Sequence, residues 1–100
     1  AATLAVRRLC VVWNPFSGHG SGRRAHDFVV PKLEKAGISV TSFRTERRRH
    51  ARDLVAREIE DFDAYDAVCV IGGDGTLSEV INGLVLRTQA SGPAKPGQEL

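Results

Sequence analysis

Residues 67–79, Ala67-Val68-Cys69-Val70-Ile71-Gly72-Gly73-Asp74-Gly75-Thr76-Leu77-Ser78-Glu79, pass from an unbroken apolar run through a glycine-rich turn into a stretch that repeats with helical spacing. Five consecutive apolar residues bounded by a turn read as a strand buried on both faces. Gly72, Gly73 and Gly75 then flank a single carboxylate, and Leu77, Val80, Ile81 and Leu84 mark one face of the helix that follows. Strand, sharp turn and helix in this order are the unit from which parallel α/β sheets are assembled.

The same unit occurs twice upstream. Leu9-Cys10-Val11-Val12-Trp13 is a strand stopped by Asn14-Pro15, and Phe16 to Gly22, with three glycines and two serines, is a loop. Ala25, Phe28, Val29, Leu33 and Ala36 predict a helix closed by Gly37, with Pro31 marking a kink or a restart. Ile38, Val40 and Thr41 begin a second strand that ends near Thr45 and, being less apolar, belongs nearer a sheet edge. A second helix is expected from about His50 to Ile59 on the face Ala51, Leu54, Val55, Glu58 and Ile59. The chain therefore reads as βαβαβα, an α/β fold with a Rossmann-like, three-layer parallel sheet. Residues 1–86 are expected to form this α/β domain and residues 87–100 a flexible connector. Three strands with such a tail read as a fragment of a larger unit, and an unprotected strand edge would admit a second copy of the chain as a homodimer partner.

Composition narrows the class. With 100 residues, 42% hydrophobic and 26% charged, the chain has the make-up of one ordinary globular domain. No apolar run approaches the roughly 18 residues of a membrane span and no signal-peptide pattern opens the chain, so a cytoplasmic setting is expected. Cys10 and Cys69 both fall inside expected buried strands, where a thiol acts as a small hydrophobe, and their spacing suggests neither a disulfide nor a metal site. A net charge of +2 is too small to argue for a nucleic-acid partner, yet Arg44 to Arg52 hold five arginines against one carboxylate, Glu46.

Three motifs carry chemistry. In an open parallel sheet ligands bind beyond the carboxyl ends of the strands, where loops present unpaired N–H groups and helix N-termini to phosphate. The loop after the first strand, Asn14-Pro15-Phe16-Ser17-Gly18-His19-Gly20-Ser21-Gly22, suits this use, although it fits neither the dinucleotide fingerprint nor the P-loop spacing. The second motif, Thr45-Glu46-Arg47-Arg48-Arg49-His50, supplies guanidinium forks that match phosphate oxygens, or alternatively a solvated basic face. In the third, Asp74 could accept a proton from an attacking hydroxyl or hold a metal ion, and its bland alternative is service to the turn itself. Thr76-Leu77-Ser78-Glu79 also reads as a capping box with Thr76 as N-cap and Glu79 at the third helical position, which would make Glu79 structural. His19, His26 and His50 have no metal-ligand spacing.

Taken in order, Asn14-Pro15-x-Ser-Gly-x-Gly, Thr45-Glu46-Arg47-Arg48-Arg49-His50-Ala51 and Gly72-Gly73-Asp74-Gly75-Thr76-x-x-Glu79-Val80-x-Asn82-Gly83-Leu84 resemble the diacylglycerol kinase catalytic domain family. The resemblance implies an α/β nucleotide-binding domain akin to that of NAD kinases, followed by a β-sandwich domain that contributes to a lipid pocket. It further implies ATP and Mg²⁺ as cofactors, a lipid substrate, peripheral membrane contact, and phosphoryl transfer to a primary hydroxyl. The Thr45 to Ala51 stretch looks most like sphingosine kinases, with diacylglycerol or ceramide as alternative acceptors. Carried over, Asn14, Pro15 and Phe16 form one side of the nucleotide site and Thr45, Glu46, Arg47, Arg48 and Arg49 the other. Gly73 lies against the phosphates, Asp74 is the general base and Glu79 completes the site. Phe16 departs from the basic or smaller residue of many relatives. The contrasting reading is a non-catalytic module whose arginines dock on acidic lipid head groups or other polyanions.

Overall fold

The structure is a computed structural model that describes residues 6–90. Three strands, β1 (Arg8–Trp13), β2 (Ser39–Arg44) and β3 (Ala67–Ile71), form one parallel sheet in the order β2-β1-β3. Helix α1 (Ser21–Lys35) joins β1 to β2, α2 (His50–Asp53) and the turns after it join β2 to β3, and α3 (Asp74–Ala90) follows β3.

β1 is apolar from Leu9 to Trp13 because both its faces are covered there. Cys10 and Val12 pack against Ala51, Leu54, Val55, Ile59, Phe62 and Val80, whereas Leu9, Val11 and Trp13 face Leu33, Ile38 and Val40 on the side of α1. The three layers are thus α1, the sheet, and α2 with α3. The Cys10 thiol, fully enclosed, is pushed up to about 11 by burial and stays protonated at neutral pH. β2 lies at an edge, as its polar pattern predicted. β3 is only half-buried along its length because β1 is its one strand neighbour among the described residues, so Cys69 is less enclosed than the apolar run suggested.

Several expected details differ. α1 begins earlier than its apolar positions indicated and runs through Pro31 as a single helix. Its inward stripe is Gly22, His26, Val29 and Leu33 rather than one led by Phe28, which is 65% exposed with the Lys32 ammonium over its ring. The His26 ring stacks on Trp13 at 4.0 Å between centroids and bonds Ser42 Oγ at 2.9 Å, an aromatic contact that places a polar ring where a hydrophobe was expected. Gly37 closes the helix with φ +92, donating to Glu34 O while Ile38 donates to Leu33 O.

The second helix is α-helical only as far as Asp53. Its continuation, Leu54–Glu58, widens into a π turn in which Ile59 N–H reaches Leu54 O at 3.0 Å. α3 starts at Asp74, with Leu77 N–H bonded to Gly73 O at 3.2 Å, so Thr76 stands inside the helix and is not its N-cap. The capping-box reading of Glu79 fails for that reason. α3 buries Val80 and Gly83 against α2 and the π turn and Thr76 beside Gly72, while Leu77, Ile81 and Leu84 are 47%, 50% and 39% exposed and do not share the Val80 face as expected. The helix continues to Ala90, so residues 87–90 are not connector, and the remainder of that expected segment lies outside the described residues. No helix among the described residues is long and apolar enough to cross a membrane.

Candidate functional site

Parallel register brings the three motifs to one end of the sheet. Trp13 pairs with Arg44 on one side and with Ile71 on the other, so the loops that follow β1, β2 and β3 leave at the same level. Two backbone bonds tie them: Asn14 N–H to Ile71 O and Thr45 N–H to Trp13 O, both 2.9 Å. With β1 flanked by β2, its successor in the chain, and by β3, this end is where the connections diverge and a crevice opens.

A cavity of about 270 Å³ occupies that crevice. Asn14 and Phe16 line it from the first loop, Thr45, Glu46, Arg47 and Arg48 from the second, and Thr76 and Glu79 from α3. Asn14 is fixed by accepting the Phe16 N–H on Oδ1 at 2.9 Å, and its backbone oxygen accepts Ser17 N–H at 3.3 Å. A Cβ on Gly22 would collide with that same oxygen, so only glycine lets the first turn of α1 sit this close to Asn14. Pro15 is buried behind the loop, and Phe16 is 79% exposed at the cavity mouth. A second recess of about 310 Å³ lies across the glycine loop between Ser17, Ser21 and Gly72. The segment Gly72–Thr76 runs from one recess to the other, with Asp74 exposed at its middle and Gly73 beside Ser17 Oγ.

The arginines divide by partner. Arg47 is committed: its guanidinium donates to Asp53 Oδ2 at 2.9 Å and to Glu58 Oε2 at 3.3 Å. Asp53, itself buried, also takes two bonds from Arg52, at 3.1 and 3.0 Å, and lies 3.7 Å from Arg57. The bond from Arg47, followed by those from Arg52, holds the Asp53 carboxyl below the usual carboxylate range. Arg48 lines the cavity, and its guanidinium has no partner among the described residues. Arg49 takes a left-handed conformation, φ +63, and its backbone N–H is accepted by Glu79 Oε2 at 3.3 Å. Glu79 therefore belongs to the cavity wall and also fastens α3 to the arginine loop.

Of the residues expected to form the site, Asn14, Phe16, Thr45, Glu46, Arg47, Arg48 and Glu79 surround one cavity. Pro15 and Arg49 support it from behind and beside, while Gly73 and Asp74 stand on the adjoining turn outside its lining. Two residues at or beside the cavity were not among those expected. Thr76, 7% exposed, lines the cavity and follows directly on the glycine–aspartate turn that had drawn attention. His50 lies behind the second loop, and only its position at the end of the Thr45 motif hinted at a role. No group of three or more histidine, cysteine or carboxylate side chains suited to a metal occurs among the described residues.

Comparison with known proteins gives this geometry a family context. The family model described as the diacylglycerol kinase catalytic domain matches residues 8–94. Human sphingosine kinase 1 is 45% identical over 83 residues, covering 80% of this chain and 21% of that protein. A diacylglycerol kinase of Staphylococcus saprophyticus is 41% identical over 78 residues, 78% of this chain and 25% of its own, and human ceramide kinase 40% over 86 residues, 85% and 16%. A solved structure assigned as a diacylglycerol kinase of Bacillus anthracis superposes with a TM-score of 0.61 at 31% identity, over 78% of this chain and 27% of that one. The chain spans about a quarter or less of the length of the curated relatives named here.

Proposed function

The chain belongs to the diacylglycerol kinase catalytic domain family, and from that premise we propose that it forms the nucleotide side of a lipid kinase that transfers the γ-phosphate of ATP to the primary hydroxyl of a sphingoid base. The observation that carries the reading is the convergence of three motifs, separated by tens of residues, on one cavity at the carboxyl end of a parallel sheet. Phosphoryl transfer asks for positioning and charge neutralisation more than covalent chemistry, and this wall offers both. Arg48, with its guanidinium unengaged, is the side chain best placed to meet phosphate oxygens, and Arg47, held by two carboxylates, shapes the wall instead. Asn14, Phe16 and Thr45 face the nucleotide, and Gly73 lets the backbone approach its phosphates. Asp74 takes the hydroxyl proton as the lipid oxygen bonds to the γ-phosphorus and the bond to ADP breaks. Mg²⁺ bound with the nucleotide would supply neutralising charge. Of the carboxylates here, Glu46 and Glu79 line the cavity and would be the ones to hold the ion beside the phosphate oxygens, leaving Asp74 on the adjoining turn as the base.

A sphingoid base is preferred over diacylglycerol or ceramide because the Thr45 to Ala51 stretch resembles that of sphingosine kinases, and human sphingosine kinase 1 has the highest identity of the three relatives described. A bilayer-resident acceptor requires peripheral contact with the membrane. Labelled phosphate transfer by the whole protein, with sphingosine, ceramide and diacylglycerol offered in parallel, tests the proposal. Transfer to sphingosine first among the three is expected; preference for another lipid corrects the acceptor, and no transfer to any of them overturns the kinase reading.

A further inference from the structure

We infer that His50 is a positioning residue whose neutral ring fixes the arginine loop as a wall of the nucleotide cavity, an inference that rests on the nucleotide-binding reading above. The ring is enclosed, 9% exposed, one turn behind the cavity. Its Nδ1 receives the backbone N–H of Glu46 at 2.9 Å, and a backbone donor can bond only a ring nitrogen that carries a free lone pair. Nδ1 is therefore unprotonated, and Nε2 carries the hydrogen that it donates to Glu58 Oε1 at 3.3 Å.

Glu58 reaches the ring because the chain widens between Leu54 and Ile59; the same carboxylate accepts Arg47 at 3.3 Å. Residues 46–49 are neither helix nor strand, so their N–H groups have no ladder to enter. Thr45 N–H is satisfied by Trp13 O and the next one, Glu46 N–H, by His50. These two consecutive anchors set the path of the loop from the end of β2 to the first turn of α2, and with it the place of Thr45 and Arg48 in the cavity. A role in holding others differs from a role in contact: the ring is absent from the cavity lining.

Three replacements in the whole protein separate the two ring nitrogens. His50→Asn keeps an acceptor near Nδ1 and loses the reach to Glu58; His50→Gln keeps a donor near Nε2 and loses the acceptor; His50→Ala loses both. The expected result is an ATP KM raised about five- to ten-fold in His50→Gln and His50→Ala, with kcat within about two-fold and His50→Asn close to wild type. Wild-type ATP KM in His50→Gln, or His50→Asn as impaired as His50→Gln at an unchanged melting temperature, overturns the inference. The Asn and Gln pair decides it even where His50→Ala fails to fold. Hydrogen exchange at the Glu46 amide provides a readout independent of catalysis: protected in wild type and His50→Asn, fast in His50→Gln. Equal exchange in the two variants refutes the role of the ring, whereas a whole protein that neither binds nor uses ATP but keeps this exchange pattern removes only the kinase reading.

Discussion

The Oε2 oxygen of Glu79, in the second turn of α3, accepts the backbone N–H of Arg49 at 3.3 Å and so fastens the helix after the glycine–aspartate turn to the arginine loop after β2. Glu79→Gln keeps an acceptor for this bond and removes only the charge. It is expected to melt as wild type does while its ATP KM rises several-fold. Glu79→Ala should in addition lose about 0.5–1.5 kcal/mol of stability in chemical denaturation. Wild-type kinetics in Glu79→Gln would confine Glu79 to the loop bond. Arg49 itself, at φ +63, should tolerate Gly without loss and with a gain of up to about 1 kcal/mol, because glycine carries no Cβ into the left-handed region.

Arg47 and Arg48 are neighbours with opposite commitments, one held by Asp53 and Glu58 and the other unengaged at the cavity. Arg48→Ala is expected to weaken nucleotide binding about ten-fold with little change in melting temperature. Arg47→Ala should lower the melting temperature, since it leaves the buried Asp53 short of a partner. Calorimetric titration and thermal melts of the two variants check the division, which an inverted outcome would reverse.

Asp74→Asn in the whole protein should reduce lipid phosphorylation by at least about a hundred-fold and leave nucleotide affinity within a few-fold, since the amide has nearly the same shape and cannot accept the hydroxyl proton. Turnover near wild type removes Asp74 from the role of base.

Acid stability should depend on two carboxylates. The Asp53 carboxyl is held low chiefly by Arg47, and that of Asp66 by the backbone N–H groups of Arg8 and Arg7, each bonded at 2.8 Å. A folded-state pKa below the unfolded value of about 3.9 contributes stability that is complete above that value and is lost as the pH falls through it toward the folded one. Melting temperatures are therefore expected to be level from about pH 7 to about pH 5 and to drop below that. Asp53→Asn and Asp66→Asn should each lie under wild type at pH 7 and approach it in acid. Curves that stay parallel throughout contradict the assignment.

Gly83 packs against the π turn so closely that a Cβ would lie 2.6 Å from Arg52 O and 2.9 Å from Val55 Cβ. Gly83→Ala is expected to cost about 1–3 kcal/mol of stability, because helix backbones in close contact must separate to admit the methyl group. Denaturant titration measures this, and a neutral result means that α3 shifts freely.

The sequence by itself determined the strands, the loops that follow them and the shared end at which those loops meet. Apolar runs, turn residues and glycines act over a few neighbours, and parallel order then carries the loops to one edge. β3 was legible to the residue, and the three motifs were legible as site material. Tertiary structure alone decided the use of each side chain. Phe28 and Leu77 have the spacing of buried residues and face outward, because the available layer is filled instead by the His26 ring on one side of the sheet and by Val80 on the other. Arg47, Arg48 and Arg49 look alike in sequence. Asp53 and Glu58 engage the first, the second is left for the cavity, and the third offers its backbone to a carboxylate thirty positions away. The widened turn that delivers Glu58 to His50 has no periodicity of its own, since a single extra residue in a helical turn is set by what the turn must reach in space.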